Sequence, residues 1–350
     1  MKIVALEEHM VIPQVLEAWS AAGGAWADPG TQPEEGVIAR RLAELGEQRV
    51  RDMDATGVDV QVLSLTTPGV QNLAGDDAVR LATVANDAIA AVIASRPDRF
   101  DGFATLPTPE PDAAVDELRR AVGTLGFKGA MLNGRTGGRN VDHPDFAEIY
   151  AAAAELHAPI YIHPNLPQPP VRDAYYSGFG DAFDAMFASW GLGWHVETGI
   201  QLLRLIFSGA FDRHPELQVV VGHWGEVVLF YLERIEGADR MGLGLDRPLA
   251  DYLRQNVSYT PSGIHSQRYL RWTIDVVGVD RVMYAADYPF VDVGEEGART
   301  FIEQAPLSFE DKKKIAHGNW ERLTRSAPVG RPERFAREAS RPSAVTRPSA

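Results

Sequence analysis

Apolar, strand-like segments end on imidazole or carboxylate side chains at four places in this chain. The residues are Glu7 and His9 after KIVAL (2–6), His163 in PIYIHP (159–164), His223 in LQVVVGHW (217–224) and Asp287 in DRVMYAAD (280–287). Such a group is unfavourable at a buried strand end unless it is paired or binds a metal. We therefore predict that these side chains meet in one functional site.

The first of these segments orients its polar residues by strand geometry. Side chains alternate between the two faces of a strand. Strict alternation places Glu7 and His9 on one face with Ile3 and Ala5, and it turns Glu8 to the other face. We expect Glu7 and His9 to point into the site together, and Glu8 to point away from it.

Two imidazoles and two carboxylates can hold one divalent metal ion. The chain has no cysteine, so disulfides and thiolate sites are excluded and any transition metal must rest on His, Asp and Glu. A set of Glu7, His9, His163 and Asp287 suits zinc, and also Mn or Fe(II) if water or substrate fills further positions. A lone buried histidine is more often structural, but four matching strand ends favour a metal site. His195, in GLGWHVETG, either lines the pocket or caps the helix that follows.

Eight apolar segments alternate with helical patterns along the chain. The remaining four are VDVQVLSL (58–65), FDGFATLP (100–107), KGAMLNG (128–134) and NVSYTPSG (256–263). Between them apolar residues recur at helical spacing, closed by Pro or Gly. This order predicts a parallel α/β architecture, and the count favours a (β/α)8 TIM barrel, whose strand ends converge on one rim. A doubly wound open sheet is the alternative, although no Gly-rich phosphate loop follows an early strand.

The alternation predicts a single barrel domain over residues 1–325. Two long stretches, 10–45 and 164–195, interrupt it and are expected to be inserted loops. Loops after barrel strands line the active face, so both are candidate lids or pocket walls. Residues 326–350 are rich in Arg, Pro, Ser and Ala without an apolar period, and we predict a disordered tail there.

The bulk composition excludes several classes of partner. The net charge is −14, with 45% apolar and 23% charged residues. Such an acidic chain is a poor candidate for binding nucleic acid or an anionic membrane surface. The first apolar run is too short for a signal peptide, and no run approaches a membrane span. We expect a cytoplasmic protein with a small-molecule partner.

Longer motifs resemble a known family. ALEEH, YIHPN, LRLIFSGAFDRHPELQVVVGHWGE, FYLERIE and AADYPF are similar to the amidohydrolase-superfamily branch of metal-dependent aromatic decarboxylases, the aminocarboxymuconate semialdehyde and γ-resorcylate decarboxylase type. The resemblance covers residues 1–325. It implies non-oxidative decarboxylation of an ortho-hydroxybenzoate-like acid, one divalent ion (Zn²⁺ or Mn²⁺) per subunit, and homodimers or higher assemblies.

The resemblance also implies residue roles. It makes Glu7, His9, His163 and Asp287 the metal ligands. It makes His223 a catalytic histidine oriented by Glu226. The expected substrate contacts are Arg234, Asn133, Phe290 and Trp194. On residue type alone, a surface pair with Glu233 and Glu236 is the favoured interpretation of Arg234. Asn133 reads equally well as a turn residue, and Trp194 as ordinary packing.

Decarboxylation requires a proton for the ring carbon that loses its carboxylate. Asp287 is the first choice as donor; His223 is the alternative donor, or the group that tunes Asp287. The competing prediction is a hydrolase or hydratase acting on an ester, lactone or amide through a metal-bound water. A barrel that has lost its chemistry would lack ligands, and none is missing here.

Overall fold

Seven parallel strands form one curled sheet in the computed structural model, which describes residues 1–22, 35–295 and 297–325. The strands pair in chain order. They are β1 (Val4–Met10), β2 (Val60–Leu65), β3 (Phe100–Thr105), β4 (Gly129–Asn133), β5 (Ile160–His163), β6 (Val219–Val221) and β7 (Val257–Tyr259).

Helices separate most neighbouring strands. They are α1 (Pro13–Ala22), α2 (Gly36–Ala43), α3 (Glu47–Thr56), α4 (Gly75–Ser95), α5 (Pro111–Gly123), α6 (Ala147–Glu155), α7 (Pro169–Tyr175), α8 (Asp181–Met186), α9 (Gly193–Phe207), α10 (Ala210–Arg213), α11 (His223–Glu226), α12 (Leu232–Ile235), α13 (Leu249–Gln255), α14 (Gln267–Val277), α15 (Gly297–Glu303), α16 (Phe309–Lys313) and α17 (Asn319–Leu323).

The predicted eighth strand is present only as isolated bridges. Val282 bridges to Tyr259 of β7, and Tyr284 bridges to Ala5 of β1. The ladder does not continue because the backbone N–H of Ala286 donates to the Glu8 side chain at 2.8 Å instead of to a strand. The segment nevertheless lies between the two edges of the sheet, which gives a TIM-barrel-like α/β fold.

Two hydrophobic layers pack against this sheet. The larger one joins the strands to the surrounding helices. The smaller one draws almost entirely on strand residues and fills the space that the curled sheet encloses. Its members are Val4, Leu6, Val60, Val62, Phe103, Met131, Tyr161, Val220, Met283, Ala285 and Trp320. The enclosed space is thus a packed core, and the polar site must lie at its mouth.

Strand β1 continues through its polar residues as far as Met10 and contains a β-bulge. The sequence predicted a strand that stops at residue 6, whereas β1 extends to Met10. The register changes from Ala5 opposite Gln61 to Glu8 opposite Leu63, so β1 carries one extra residue. Glu7 adopts the left-handed conformation there, with φ of 44°.

Because of the bulge, the side chains of β1 face different sides of the sheet from those predicted. Leu6 belongs to the inner cluster, and Glu7 also points inward, because its carboxylate accepts a hydrogen bond from Tyr161 of that cluster. Ile3 and Ala5 pack outward against the helices. Grouping them with Glu7 by strict alternation was therefore wrong, since the extra residue shifts the period by one position.

The inserted stretches contain more helix than expected. Within 10–45, α1 and α2 are formed, and residues 23–34 lie outside the described residues. Within 164–195, α7 and α8 are followed by a π-helical turn (Phe187–Gly191) and the start of α9. Helix α7 begins on Pro169, at a position where the missing N–H is harmless. The predicted tail, 326–350, also lies outside the described residues.

Among the described residues, α4 is the one helix that is long and apolar enough to cross a membrane by length and composition. It packs on β3 and buries one face that includes Leu81, Ala85 and Ile89. On that face Asn86 donates to Glu117 of α5 at 2.6 Å. These contacts are those of a core helix.

The close approach of β4 to β5 requires glycine at position 129. A Cβ on Gly129 would lie 2.3 Å from the carbonyl oxygen of Pro159, which is backbone and cannot move aside. We expect Gly129→Ala to destabilise the protein by about 1–3 kcal/mol, measured by denaturant unfolding. Gly138→Ala is the control, because its Cβ would meet nothing within 4 Å. Equal stability of the two variants would contradict this packing.

Candidate metal centre and active site

Three ligand-type side chains converge at the carboxyl ends of β1 and β5. Glu7, His9 and His163 place their ligand atoms within 4.8 Å of one another, all in the buried interior. Glu7 Oε1 lies 3.3 Å from His163 Nε2. Asp287 joins them with Oδ1 at 3.4 Å from His9 Nε2. The structure therefore brings together all four residues of the predicted set, whose role as ligands stays a prediction.

The unsatisfied atoms of this cluster fit a cation. Glu7 Oε1 and His9 Nε2 are buried without a hydrogen-bond partner. His163 Nδ1 lies 2.8 Å from the carbonyl oxygen of Pro164, which assigns the proton to Nδ1 and leaves a lone pair on Nε2. Buried polar atoms without partners are unfavourable. A divalent cation between them would satisfy these lone pairs, so the residues present suit a metal.

The second oxygen of Glu7 is held by hydroxyl groups. Tyr161 and Ser262 both donate to Glu7 Oε2. Tyr161 also lies 2.7 Å from the hydroxyl of Thr260. These residues orient the carboxylate so that Oε1 faces the histidines. Tyr161 is not among the predicted site residues, although its spacing of two from His163 places both side chains on the same face of β5.

Burial and mutual charge shift the pKa values of these groups in opposite directions. Burial raises the pKa of Glu7, but the close approach of the imidazoles of His163, His223 and His9 outweighs burial and holds that pKa well below its usual range. Burial, together with the charge of His163, lowers the pKa of His9. Burial and the charge of Glu7 raise the pKa of Asp287. The cluster therefore favours an ionised Glu7 beside a neutral His9, which is the state of these two groups that binds cations.

Backbone strain is concentrated at this site. All but His157 of the described non-glycine residues with positive φ lie near it: Glu7, His223, Trp224, Glu226, Val227, Ser262 and Asp287. A side chain in this conformation costs of order 1 kcal/mol or more. Such strain persists where surrounding contacts over-determine it, and it is typical of functional sites.

A second polar cluster lies at the end of β6. Glu226 is fully buried, and its Oε1 lies 2.7 Å from His223 Nδ1. Its Oε2 lies 2.8 Å from Nδ1 of His195, which projects from α9. The predicted contact between His223 and Glu226 is therefore present. His195, which the sequence left undecided, lines the pocket through a contact across 31 residues of chain that no local motif signals.

A cavity of about 440 Å³ joins the two clusters. Its polar wall includes His163, His223 and Asp287. Its other walls are mostly apolar: Ile38, Trp190, Trp194, Ile264, Phe290 and Val291. Among the described residues that line it, none is Lys or Arg. The cavity therefore suits a flat apolar body that presents polar groups at one end.

The predicted substrate contacts fall into two groups. Phe290 and Trp194 line the cavity, with ring centroids 5.6 Å from His9 and 6.3 Å from His163, respectively. Asn133 lies in register with His163 on the neighbouring strand but does not line the cavity. Arg234 is exposed on α12 and does not line it either. The substrate contacts of Asn133 and Arg234 stay predictions.

Known proteins share both this fold and much of this sequence. The sequence model of the amidohydrolase family, described as "Amidohydrolase", matches residues 25–325. The γ-resorcylate decarboxylase of Rhodococcus jostii is 35% identical over 339 residues, covering 90% of this chain and 96% of the relative.

Solved structures are also similar to this chain in fold and in sequence. The 5-carboxyvanillate decarboxylase of Novosphingobium aromaticivorans, with bound manganese and 3-methoxy-4-hydroxy-5-nitrobenzoic acid, superposes with a TM-score of 0.85 at 33% identity, covering 93% of this chain and 97% of that one. The dihydroxybenzoic acid decarboxylase of Polaromonas sp. JS666, with manganese and 2-nitroresorcinol, has a TM-score of 0.81 at 31% identity, with the same coverage.

The unsatisfied oxygen of Glu7 leads to a direct test of metal binding. We expect Glu7→Gln to weaken Mn²⁺ binding at least about tenfold. The amide removes the negative charge, and its N–H group cannot act as a metal ligand. The measurement is equilibrium dialysis with metal analysis. Glu117→Gln is the control, since Glu117 is also buried but bonds Asn86 and Arg120 far from the cavity. Unchanged Mn²⁺ affinity in Glu7→Gln would remove Glu7 from the site.

Proposed function

This chain belongs to the amidohydrolase family, and from that premise we propose that it is a divalent-metal-dependent, non-oxidative decarboxylase of hydroxylated aromatic acids. The observation that carries the proposal is the pair of buried ligand-type atoms without a hydrogen-bond partner, Glu7 Oε1 and His9 Nε2, at the polar end of an apolar cavity. Sequence-similar enzymes that act as decarboxylases of hydroxybenzoates support the choice of reaction.

The four residues that would hold the ion are Glu7, His9, His163 and Asp287. A divalent cation there would bind the carboxylate and the ortho hydroxyl of the substrate and would stabilise the phenolate charge that develops. Manganese is the first choice, because it is the ion bound in related structures. Zinc is the alternative, since the same donors suit it.

The cavity walls would orient the ring of the substrate. Phe290 and Trp194 flank the polar end, and Ile264 and Val291 extend the apolar wall. A planar aromatic ring between these side chains would direct its carboxyl end to the polar cluster. The apolar walls also exclude water from the ring carbon, which favours protonation by a protein group.

The carbon–carbon bond to the carboxyl group breaks with its electron pair left on the ring, and carbon dioxide leaves. Asp287 would supply the proton to that carbon, and the position of its carboxyl group in the cavity wall with Phe290 supports this role. His223 is the second candidate. Its Nδ1 is engaged by Glu226, so only Nε2 remains for the substrate. No redox partner is needed.

The wider architecture is part of the proposal. We take the bridges of Val282 and Tyr284 to the sheet edges as support for a closed (β/α)8 barrel formed as one domain by residues 1–325. The aromatic side chains of Phe230 and Tyr231 are 73% and 54% exposed on the surface that also carries Arg234. This apolar exposure supports a homodimer or higher homo-oligomer. The proposed location is the cytoplasm.

Turnover in D₂O tests the reaction. We expect the Mn²⁺-loaded protein to release carbon dioxide from an ortho-hydroxybenzoate and to leave one deuterium at the vacated ring carbon, observed by NMR. Removing the metal with a chelator should abolish turnover, and Mn²⁺ should restore it. No carbon dioxide release across a panel of hydroxybenzoates, combined with hydrolysis of esters, lactones or amides, would show a hydrolase instead.

Asp287→Asn tests the proton donor. We expect kcat to fall by about 10²–10⁴-fold, the usual contribution of a general acid, when metal occupancy is matched by saturating Mn²⁺. Asp275→Asn, on the exposed side of α14, should behave as the unaltered protein. An Asp287→Asn variant with full metal occupancy and undiminished kcat would transfer the donor role to His223.

A further inference from the structure

Glu226 is shared between two histidines from different parts of the chain. The carboxylate is fully buried. Its two oxygens lie 2.7 Å from His223 Nδ1 and 2.8 Å from His195 Nδ1. The two imidazole centroids are only 4.5 Å apart. The three groups therefore form one unit in which the protons must be distributed consistently.

The hydrogen bonds of His195 decide its protonation state. Its Nδ1 faces the carboxylate of Glu226, and its Nε2 lies 3.1 Å from the carbonyl oxygen of Trp190. A carbonyl oxygen and an ionised carboxylate only accept hydrogen bonds. Both ring nitrogens of His195 must then donate, so His195 is an imidazolium.

The surrounding charges agree with this assignment. Burial lowers the pKa of His195, but the charge and hydrogen bond of Glu226 raise it above its usual value, with a smaller contribution from Glu7. Burial raises the pKa of Glu226, and the two imidazoles outweigh that effect. Glu197, two residues after His195 on α9, is paired with Arg135 at 2.7 Å. Glu226 is thus the direct counter-ion of His195.

The protonation state of His223 follows from the charges of Glu226 and His195. The single charge of Glu226 is already balanced by His195, and a second imidazolium 4.5 Å away would be repelled. His223 therefore stays neutral with its proton on Nδ1. Its Nε2 keeps a lone pair at the cavity, where it can accept a proton from a substrate hydroxyl, and only after accepting one would it serve as the alternative proton donor to the ring carbon.

We propose that His195 is a positioning residue that acts on His223 through Glu226: as a cation it fixes the orientation of the carboxylate and keeps His223 neutral. The inference rests on the proposed function for its kinetic consequences. The same three side chains have the composition of a small metal site, but both Glu226 contacts have hydrogen-bond lengths and both nitrogens of His195 are engaged, which favours protons over an ion.

The test replaces the cation with a neutral donor. His195→Gln keeps an N–H group for Glu226 but removes the charge, so Glu226 then stabilises a protonated His223. We expect the acidic limb of the kcat/KM profile to move upward by about one pH unit and kcat to fall by about tenfold. KM and the one Mn²⁺ per chain should not change. His195→Lys, which restores a cation, should move the limb back.

His143→Gln is the matched control, because the side chain of His143 is only partly buried, contacts Asp145 and does not line the cavity. Imidazole ¹⁵N NMR supplies a readout that is independent of activity. In the unaltered protein we expect one histidine, absent from the His195→Gln spectrum, with both nitrogens protonated from pH 6 to 8. Failure of decarboxylation alone would refute the proposed function and leave this spectrum to decide the inference.

Three results would overturn the inference. One is a His195 with a single protonated nitrogen at pH 7. Another is a His195→Gln variant with an unmoved acidic limb, whatever its loss of kcat, since a purely structural role would lower activity without shifting the profile. The third is two metal ions per chain in the unaltered protein and one in His195→Gln.

Discussion

A carboxylate that must stay ionised in a dry interior is the constraint on which this site depends. Glu7 is fully buried, and burial by itself favours the neutral acid. Tyr161 and Ser262 hold one oxygen, and His163 lies beside the other at 3.3 Å. The side chains around Glu7 therefore stabilise a negative charge, and that charge is what attracts a cation.

The bulge in β1 turns Glu7 into the site. A hydrogen-bond network on the other face of the strand stabilises the bulge. On the outer side of the strand, the buried Arg49 donates to the carbonyl oxygen of His9 at 2.8 Å and to Gln61 at 2.7 Å. Gln61 in turn donates to Glu8 at 3.0 Å. These bonds hold the residues on either side of Glu7, so its left-handed conformation is fixed by tertiary contacts. Strain at the site and packing behind it are parts of one arrangement.

The two polar clusters divide the work that decarboxylation requires. The cluster around Glu7 provides negative charge and free lone pairs for an ion. The cluster around Glu226 balances its own charge internally through His195, and so it presents a neutral imidazole to the cavity. Between them, Phe290 and Trp194 form an apolar part of the cavity wall. An aromatic acid with an adjacent hydroxyl satisfies all three surfaces at once.

The sequence by itself determined the parallel α/β order and the residue types at the strand ends, because hydrophobic periodicity and buried polar groups are local signals. From these it predicted that Glu7, His9, His163 and Asp287 come together. Only the tertiary structure decided the phase of β1, since a one-residue bulge leaves no trace in the apolar pattern. It also decided that His195 shares Glu226 and that Arg234 faces outward, because contacts between distant segments follow from how helices pack on the sheet.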